Sequence, residues 1–290
     1  MRALAVLRHA AWAAAVCCAL PAHAALRFCG LPPDRSVAQE ERLLTLTAAV
    51  KAELQRVGAP VALVSRSGLN LARFGLRYTH AGWSLREGTD PPWAVRQLYF
   101  DCEEQTPRLF DQGLTGFVRG VDDPELAFIS LVWLPQAPAQ ALAAAAQDKA
   151  RALSLQQGRY SANAYAFSTR SQNCNQWALE LLANAVAPAG REPPRAAAQA
   201  WLRQAGYQPS VVGVGAWWGV AALSPWLHDD EHPLLSPEHP RYSVSTPHSL
   251  EAFIHQQWPQ AQRVELCVGA SGVMVERGWQ NLPATCEQRS

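Results

Sequence analysis

Net charge is nearly absent from this sequence: 25 Lys and Arg residues stand against 24 Asp and Glu residues in a chain of 290. Without a basic excess, the chain lacks the positive stripe with which nucleic-acid-binding proteins neutralise phosphates, so we expect no nucleic-acid partner. A glycine-rich phosphate loop of the P-loop or Rossmann type is also absent, and we expect no cofactor. Charged residues make up only 17% and hydrophobic residues 49%, a composition that excludes a disordered chain and favours a folded core.

The N-terminus carries an apolar stretch that is too short to span a bilayer comfortably. It runs from Ala10 to Leu20, follows Arg2 and Arg8, and ends before the small-x-small sequence Ala22-His23-Ala24. This order of features is typical of a secretory signal peptide. We therefore predict that residues 1–24 are a signal peptide, cleaved near Ala24, and that the mature protein is periplasmic.

The cysteine count singles out one thiol. Of seven cysteines, Cys17 and Cys18 leave with the signal peptide, so that five remain in a compartment where disulfides persist. An odd count leaves at least one sulfur unpaired. Cys174 is the candidate because it stands at a predicted helix start, although a small buried hydrophobe is the alternative. The other four suit bridges in any of three pairings, one of them Cys267 with Cys286 and Cys29 with Cys102.

Helical and alternating segments are mixed along residues 25–290, which predicts a single α+β domain. Gly58 and Pro60 end the first helix, and Pro188 ends the helix that begins at Cys174. The helices are predicted at 38–57, 137–157, 174–187, 195–205 and 245–258, and the strands at 61–65, 76–86, 93–100 and 126–134, with a strand or hairpin over 263–276.

The helix predicted over 174–187 places a thiol in its first turn. Trp177, Ala178 and Leu181 follow Cys174 at helical spacing and share its face, so the sulfur is expected on the buried side. Free backbone N–H groups and the positive end of the helix dipole stabilise a thiolate at such a position. The pattern therefore favours a nucleophile.

A histidine lies on the strand predicted over 76–86. The apolar side chains, such as Trp83, alternate with His80 and Gly82, so the two sets point to opposite faces. We expect the apolar set to face a core and His80 to face a cleft, with the glycine leaving space beside the ring. A histidine with such room suits a general base near a thiol, and a purely structural histidine is the alternative.

Two motifs carry a resemblance to a known family. Tyr78-Thr79-His80-Ala81-Gly82-Trp83 resembles the Ser-His-Val-Gly-Ile-Tyr strand of NlpC-type papain-like cysteine hydrolases. Asn173-Cys174-Asn175-Gln176-Trp177 resembles the Asn-Cys-x-x-aromatic nucleophile motif of their circularly permuted branch, in which the histidine strand precedes the cysteine helix. With Ser65-Arg66-Ser67-Gly68 and Phe110-Asp111-Gln112-Gly113, the chain is similar to a family of exported Gram-negative bacterial proteins of unknown function. The resemblance implies a permuted papain-like core, with an antiparallel sheet packed on the nucleophile helix.

The resemblance also implies a third polar group that orients His80 from the next strand. Gln97 and Arg96 are the candidates, and Arg96 has no acceptor atom for an imidazole N–H. Gln97 shares a strand face with apolar neighbours, so its amide needs a partner; a plain strand residue is the alternative. Asp111 is a possible substitute, although an aspartate of a turn is the simpler interpretation.

These residues predict a cysteine hydrolase that forms an acyl-enzyme, with Cys174 as the nucleophile and His80 as the base. We expect its substrate to be a peptide or an acyl compound, such as a cell-wall peptide. Two alternatives stay open: a thiol acyltransferase or lipase-like enzyme at a membrane surface, and a non-catalytic binding module. The uncharged segment 211–227 motivates the membrane alternative through a peripheral contact, although a lid or core segment is the simpler interpretation. The His-rich residues 228–242 fit no zinc signature, so we expect a solvated loop and no metal.

Overall fold

One antiparallel sheet organises the part of the chain that this computed structural model describes, namely residues 34–188, 192–215, 226–233 and 240–287. In chain order the strands are β1 (Val61–Arg66), β2 (His80–Leu85), β3 (Val95–Asp101), β4 (Thr106–Gln112), β5 (Ala127–Trp133), β6 (Ser210–Gly213), β7 (Arg241–Val244), β8 (Gln262–Gly269) and β9 (Gly272–Arg277). Seven of these described strands form the sheet in the order β4-β3-β2-β1-β5-β8-β9, and β6 pairs separately with β7. Neighbouring strands of the sheet are antiparallel.

Capping side chains mark the starts of four of the described helices. The described α-helices are α1 (Val37–Val57), α2 (Leu114–Val118), α3 (Gln136–Gln147), α4 (Lys149–Ser154), α5 (Cys174–Val186), α6 (Pro194–Gln204) and α7 (Pro247–Gln257). Ser36 and Thr246 close capping boxes at the starts of α1 and α7, which satisfy backbone N–H groups that a helix start leaves free. Gly58 ends α1 in the left-handed conformation, with φ of 65°.

Helices cover both faces of the sheet. On one face, α1 and α2 close an apolar cluster in which side chains of α1 such as Leu43, Leu46 and Leu54 are fully buried. Burying each of these leucines contributes about 1.5–3 kcal/mol relative to leaving it exposed. On the other face, α5 packs against β2, and the indole Nε1 of Trp83 in β2 donates to the Ala178 carbonyl of α5 at 3.0 Å. The mixed α+β class with an antiparallel sheet is confirmed.

Most predicted elements are present, but two have different limits. The strand expected over 76–86 begins only at His80, because its partner β1 ends at Arg66, opposite His80. The single helix expected over 137–157 is two helices that meet at Asp148, whose side chain accepts from the Arg151 N–H and caps the second one.

Four described elements were not predicted: β4, β6, β7 and α2. β6 and β7 have four residues each, and β7 begins at Arg241, within the segment expected to be a loop. β4 is an edge strand whose residues are partly exposed, and α2 is only five residues long. Neither shows the apolar periodicity from which the longer elements are recognised.

The structure shows one of the disulfides that the sequence left open. Cys267 in β8 is bonded to Cys286, and Cys174 is free and buried. Cys102 is also disulfide-bonded, whereas Cys29 lies outside the described residues. The predicted signal peptide 1–24 and most of the segment 211–227 also lie outside them.

The described residues contain neither a membrane-spanning helix nor a metal-binding cluster. None of the described helices is both long enough and apolar enough to cross a bilayer. No group of three or more His, Cys, Asp or Glu side chains in the described part of the chain is arranged to hold a metal ion.

Candidate functional site

The start of α5 directs backbone N–H groups toward the Cys174 sulfur. Asn173 is the N-cap: its side chain accepts from the Gln176 N–H at 2.7 Å, and its carbonyl accepts from the Trp177 N–H at 3.2 Å. The N–H groups of Cys174 and Asn175 instead act on the sulfur. The helix start therefore offers the sulfur two backbone donors that the cap leaves free.

Burial nevertheless keeps Cys174 protonated. Desolvation raises the pKa of its thiol from 9.0 to about 11, although the charge of Arg66, the two backbone N–H groups and a hydrogen bond from the Tyr160 hydroxyl all lower it. The desolvation of the charged form thus outweighs the donors at the helix start. At neutral pH the residue is a thiol.

His80 is the first residue of β2 and lies opposite Arg66, the last residue of β1. The structure brings Gln97 of β3 into direct hydrogen bonding with the ring, through His80 Nε2 and Gln97 Oε1. The Gln97 amide nitrogen donates in turn to Gln112 Oε1 of β4 at 2.8 Å. Because the Gln97 oxygen is the acceptor in this chain of hydrogen bonds, His80 carries its proton on Nε2 and presents Nδ1 as a lone pair.

Burial also keeps the His80 ring neutral. Its pKa is lowered from 6.5 to about 3, mainly by desolvation and further by the charge of Arg66, while the hydrogen bond with Gln97 acts in the opposite direction. The residue is 8% exposed, and the centroid of its ring lies 5.8 Å from that of Phe117 in α2. The site thus combines an uncharged imidazole with an uncharged thiol at neutral pH.

The segments that carry the thiol and the imidazole meet at one end of the sheet. The Asn175 side-chain amide donates to the Thr79 carbonyl at 3.2 Å, which joins the residue after Cys174 to the residue before His80. The charge of Arg66 acts on both groups. Among the described residues, no hydrogen bond joins the Cys174 sulfur directly to the His80 ring.

The body of helix α5 and the His80 ring lie on opposite faces of β2, and only the N-terminal end of α5 reaches the end of β2 that carries His80. Trp83 packs against α5, and His80, three residues earlier, points to the layer of α2. All six residues of β2 are buried, His80 among them.

The strand β3 separates from β2 near the His80 ring. The two strands pair only at Trp83 with Arg96 and at Ser84 with Val95. Tyr160, which bonds to the Cys174 sulfur, has its ring 5.2 Å from that of Phe100 near the end of β3. The α5 start thus approaches the strand end where the ladder has stopped.

Gly82 allows Gln97 to reach His80. A Cβ atom on Gly82 would lie 2.6 Å from Val95 Cγ1, 2.9 Å from the Arg96 carbonyl oxygen and 3.0 Å from Gln97 Cβ. Such distances are too short for a real side chain, so only glycine lets β3 approach β2 at this point. The space that the sequence places beside the histidine is filled by the glutamine.

Arg96 and Asp111, the other groups weighed as partners of His80, bind each other. Arg96 Nε and Nη2 contact the two carboxylate oxygens of Asp111 at 2.7 and 2.6 Å. Asp111 lies in β4 opposite Arg96, not in a turn, so the turn interpretation of this residue is wrong.

Sequence reasoning missed three residues of the site. Tyr160 donates to the sulfur but belongs to an irregular segment without a motif. Gln112 extends the Gln97 hydrogen bond, and Arg66 acts on both central groups. Both stand in the short motifs that carry the resemblance to a bacterial family, which was the available signal.

The chain matches the model of one protein family, described as "Uncharacterized protein conserved in bacteria (DUF2145)", over residues 53–254. That range contains every residue of the candidate site. Neither the curated proteins nor the solved structures gave a significant match, and the match found contains no link to NlpC-type hydrolases.

Proposed function

The chain belongs to the uncharacterised bacterial family DUF2145, and we propose that it is a cysteine hydrolase that cleaves an amide or ester bond. Cys174 is the nucleophile, His80 is the general base, and Gln97 orients the imidazole. The protein is exported to the periplasm after loss of residues 1–24, and its fold is a permuted papain-like arrangement. The substrate class is a peptide or acyl compound, such as a cell-wall peptide.

The observation that carries this proposal is the hydrogen bond from His80 to Gln97. This bond fixes the tautomer of the ring, because the Gln97 side-chain oxygen can only accept a hydrogen bond. Here Nε2 is bonded to Gln97, while Nδ1 makes no hydrogen bond to the described residues. The free thiol of Cys174 lies in the segment that touches the residue before His80. A base with a fixed tautomer and an unpaired thiol thus share one end of the sheet.

The uncharged resting state favours proton transfer coupled to attack. His80 Nδ1 takes the thiol proton as the sulfur forms a bond to the carbonyl carbon, and the carbonyl oxygen becomes an oxyanion that the N–H groups at the α5 start stabilise. The oxyanion then collapses, the bond to the leaving group breaks, and His80 returns the proton to that group. Water attacks the thioester with His80 again as base, which releases the acid and restores the thiol.

A non-catalytic binding module is the second candidate, and the raised pKa of Cys174 favours it. A thiol with a pKa of about 11 is a weak nucleophile at neutral pH unless a base removes its proton during the reaction. The two candidates therefore differ in a single requirement: the hydrolase needs proton transfer from Cys174 to His80, and the binding module does not.

Acylation by p-nitrophenyl acetate tests the hydrolase. We expect release of nitrophenolate, an acetyl group on Cys174 detected by mass spectrometry, and loss of both in Cys174→Ala. His80→Asn should slow acylation by about 100-fold or more, since general bases contribute about 10²–10⁴. Nitrophenolate release that persists in Cys174→Ala, or equal acylation rates with and without His80, would contradict the proposal. Transfer of the acetyl group to an added amine in preference to water would instead identify the acyltransferase alternative.

A further inference from the structure

Arg66 is held in place by backbone rather than by a carboxylate. Its Nη1 donates to the Gly120 carbonyl, and its guanidinium carbon lies 5.5 Å from the centre of the Phe117 ring. A Cβ atom on Gly120 would lie 2.7 Å from Arg66 Cζ, and one on Gly68 would lie 3.1 Å from Nη1. Two glycines therefore make the space that the guanidinium occupies, close to His80 across the β1–β2 pair.

The described part of the chain gives this guanidinium no counter-ion. None of the ion pairs among the described residues includes Arg66, and its Nε is buried without a hydrogen-bond partner. The groups that act on its charge are Cys174, Tyr99 and Arg35, none of which is a carboxylate.

Two arginines that are more deeply buried than Arg66 each pair with a carboxylate. Arg195 Nε lies 2.8 Å from a carboxylate oxygen of Glu180, and Arg263 Nε lies 2.9 Å from one of Glu251. Buried cations are normally paired in this way, because an unpaired charge in the interior is costly. Arg66 is half-buried and makes no such pair with a carboxylate of the described residues.

We propose that Arg66 binds a carboxylate of the substrate beside Cys174. The substrate is then a peptide or acyl compound that carries a carboxylate close to the bond that is cleaved. This inference rests on the proposed function and narrows its substrate class. The fork of guanidinium N–H donors suits a carboxylate, and Nη2, which makes no hydrogen bond to the described residues, is the donor that it would meet.

Binding of a carboxylate also changes the two central groups. The charge of Arg66 lowers the pKa of both His80 and Cys174. A bound carboxylate offsets that charge, so the pKa of His80 rises and the imidazole becomes a stronger base when substrate is present. The same change raises the pKa of the thiol, and a carboxylate ligand without a cleavable bond should therefore protect Cys174 from alkylation.

The test compares two small ligands that differ only in charge, N-acetylglycine and N-acetylglycinamide. We measure the rate at which iodoacetamide alkylates Cys174 in the full mature chain at about pH 9, with increasing ligand. In the unmodified protein, N-acetylglycine should slow alkylation at concentrations at least about tenfold lower than the amide. Arg66→Met should remove this difference, Arg66→Lys should keep part of it, and Lys51→Gln, which removes an exposed cation from α1, should leave it unchanged.

Two results would overturn the inference: equal protection by the acid and the amide, or protection by the acid that survives in Arg66→Met. The first comparison needs no variant, so it stands even where Arg66→Met fails to fold. The outcomes also separate the two proposals. Selective protection without acylation by p-nitrophenyl acetate would contradict the hydrolase and keep the carboxylate site, whereas acylation of Cys174 without preference for the acid would contradict only the role of Arg66.

Discussion

At the scale of single residues, Gly82 sets how closely β3 can approach the strand that carries His80. Replacing it with alanine places a Cβ atom 2.6 Å from Val95 Cγ1 and 3.0 Å from Gln97 Cβ. We expect Gly82→Ala to lower the free energy of unfolding by about 1–3 kcal/mol, the usual range for overpacking, measured by urea denaturation. Gly158→Ala is the matched control, since nothing lies within 4 Å of its Cβ. Equal free energies of unfolding for the two variants would show that β3 can move away from β2 without loss of stability.

The reactivity of Cys174 depends on its protonation, which is also set at the residue scale. With a thiol pKa of about 11, the rate of alkylation by iodoacetamide should rise about tenfold for each unit between about pH 7 and about pH 10. The Tyr160 hydroxyl lowers this pKa, so Tyr160→Phe should react several-fold more slowly at a given pH. A plateau that begins near the ordinary thiol pKa would mean that the burial of the sulfur is relieved in solution.

At the scale of elements, a buried ion pair joins α5 to α6. Glu180 is fully buried and accepts from Arg195 Nε at 2.8 Å and from Arg195 Nη2 at 3.0 Å. Arg195 also donates to carbonyls of the irregular segment that leads into α5, at Ser168, Thr169 and Ser171. The pair therefore fixes the chain just before the nucleophile as well as the two helices.

Removing one partner of this pair leaves a charge in the interior. We expect Arg195→Met to cost about 3–5 kcal/mol of unfolding free energy, because Glu180 keeps its burial and loses its cation. Arg170→Met is the control, since Arg170 is 64% exposed and its contact with Asp230 is of the kind worth about 0–1 kcal/mol. Urea denaturation of both variants provides the comparison, and a cost below about 1 kcal/mol for Arg195→Met would refute the role given to the pair.

Elements differed in how well the sequence predicted them, for physical reasons. The helix α1 was predictable because its apolar period and its terminal Gly58 agree, whereas the alanine-rich run before Gly158 gave no sign that Asp148 divides it. The alternation in β2 correctly separated His80 from Trp83. It did not show which layer each side chain meets, because helices from distant parts of the chain cover the two faces.

At the scale of the whole molecule, His80 makes stability depend on pH. Its pKa is lowered from 6.5 to about 3 in the folded protein, so the unfolded chain binds a proton that the folded chain rejects. The contribution of His80 to the free energy of unfolding is complete above about pH 6.5. It falls by about 1.4 kcal/mol for each pH unit as the pH drops toward about 3. Replacing the ring with a side chain that does not titrate should therefore flatten this loss.

We expect His80→Gln to lose less stability than the unmodified protein between about pH 6 and about pH 4, by about 1.4 kcal/mol for each unit of pH. The measurement is a series of urea denaturation curves across that range. His248→Gln, at an exposed histidine of α7, should follow the unmodified protein. Parallel curves for His80→Gln and the unmodified protein would mean that the imidazole accepts a proton while folded. Proton transfer from Cys174 to a ring that already holds two protons would then be impossible in acid, and the hydrolase would lose activity over the same pH range.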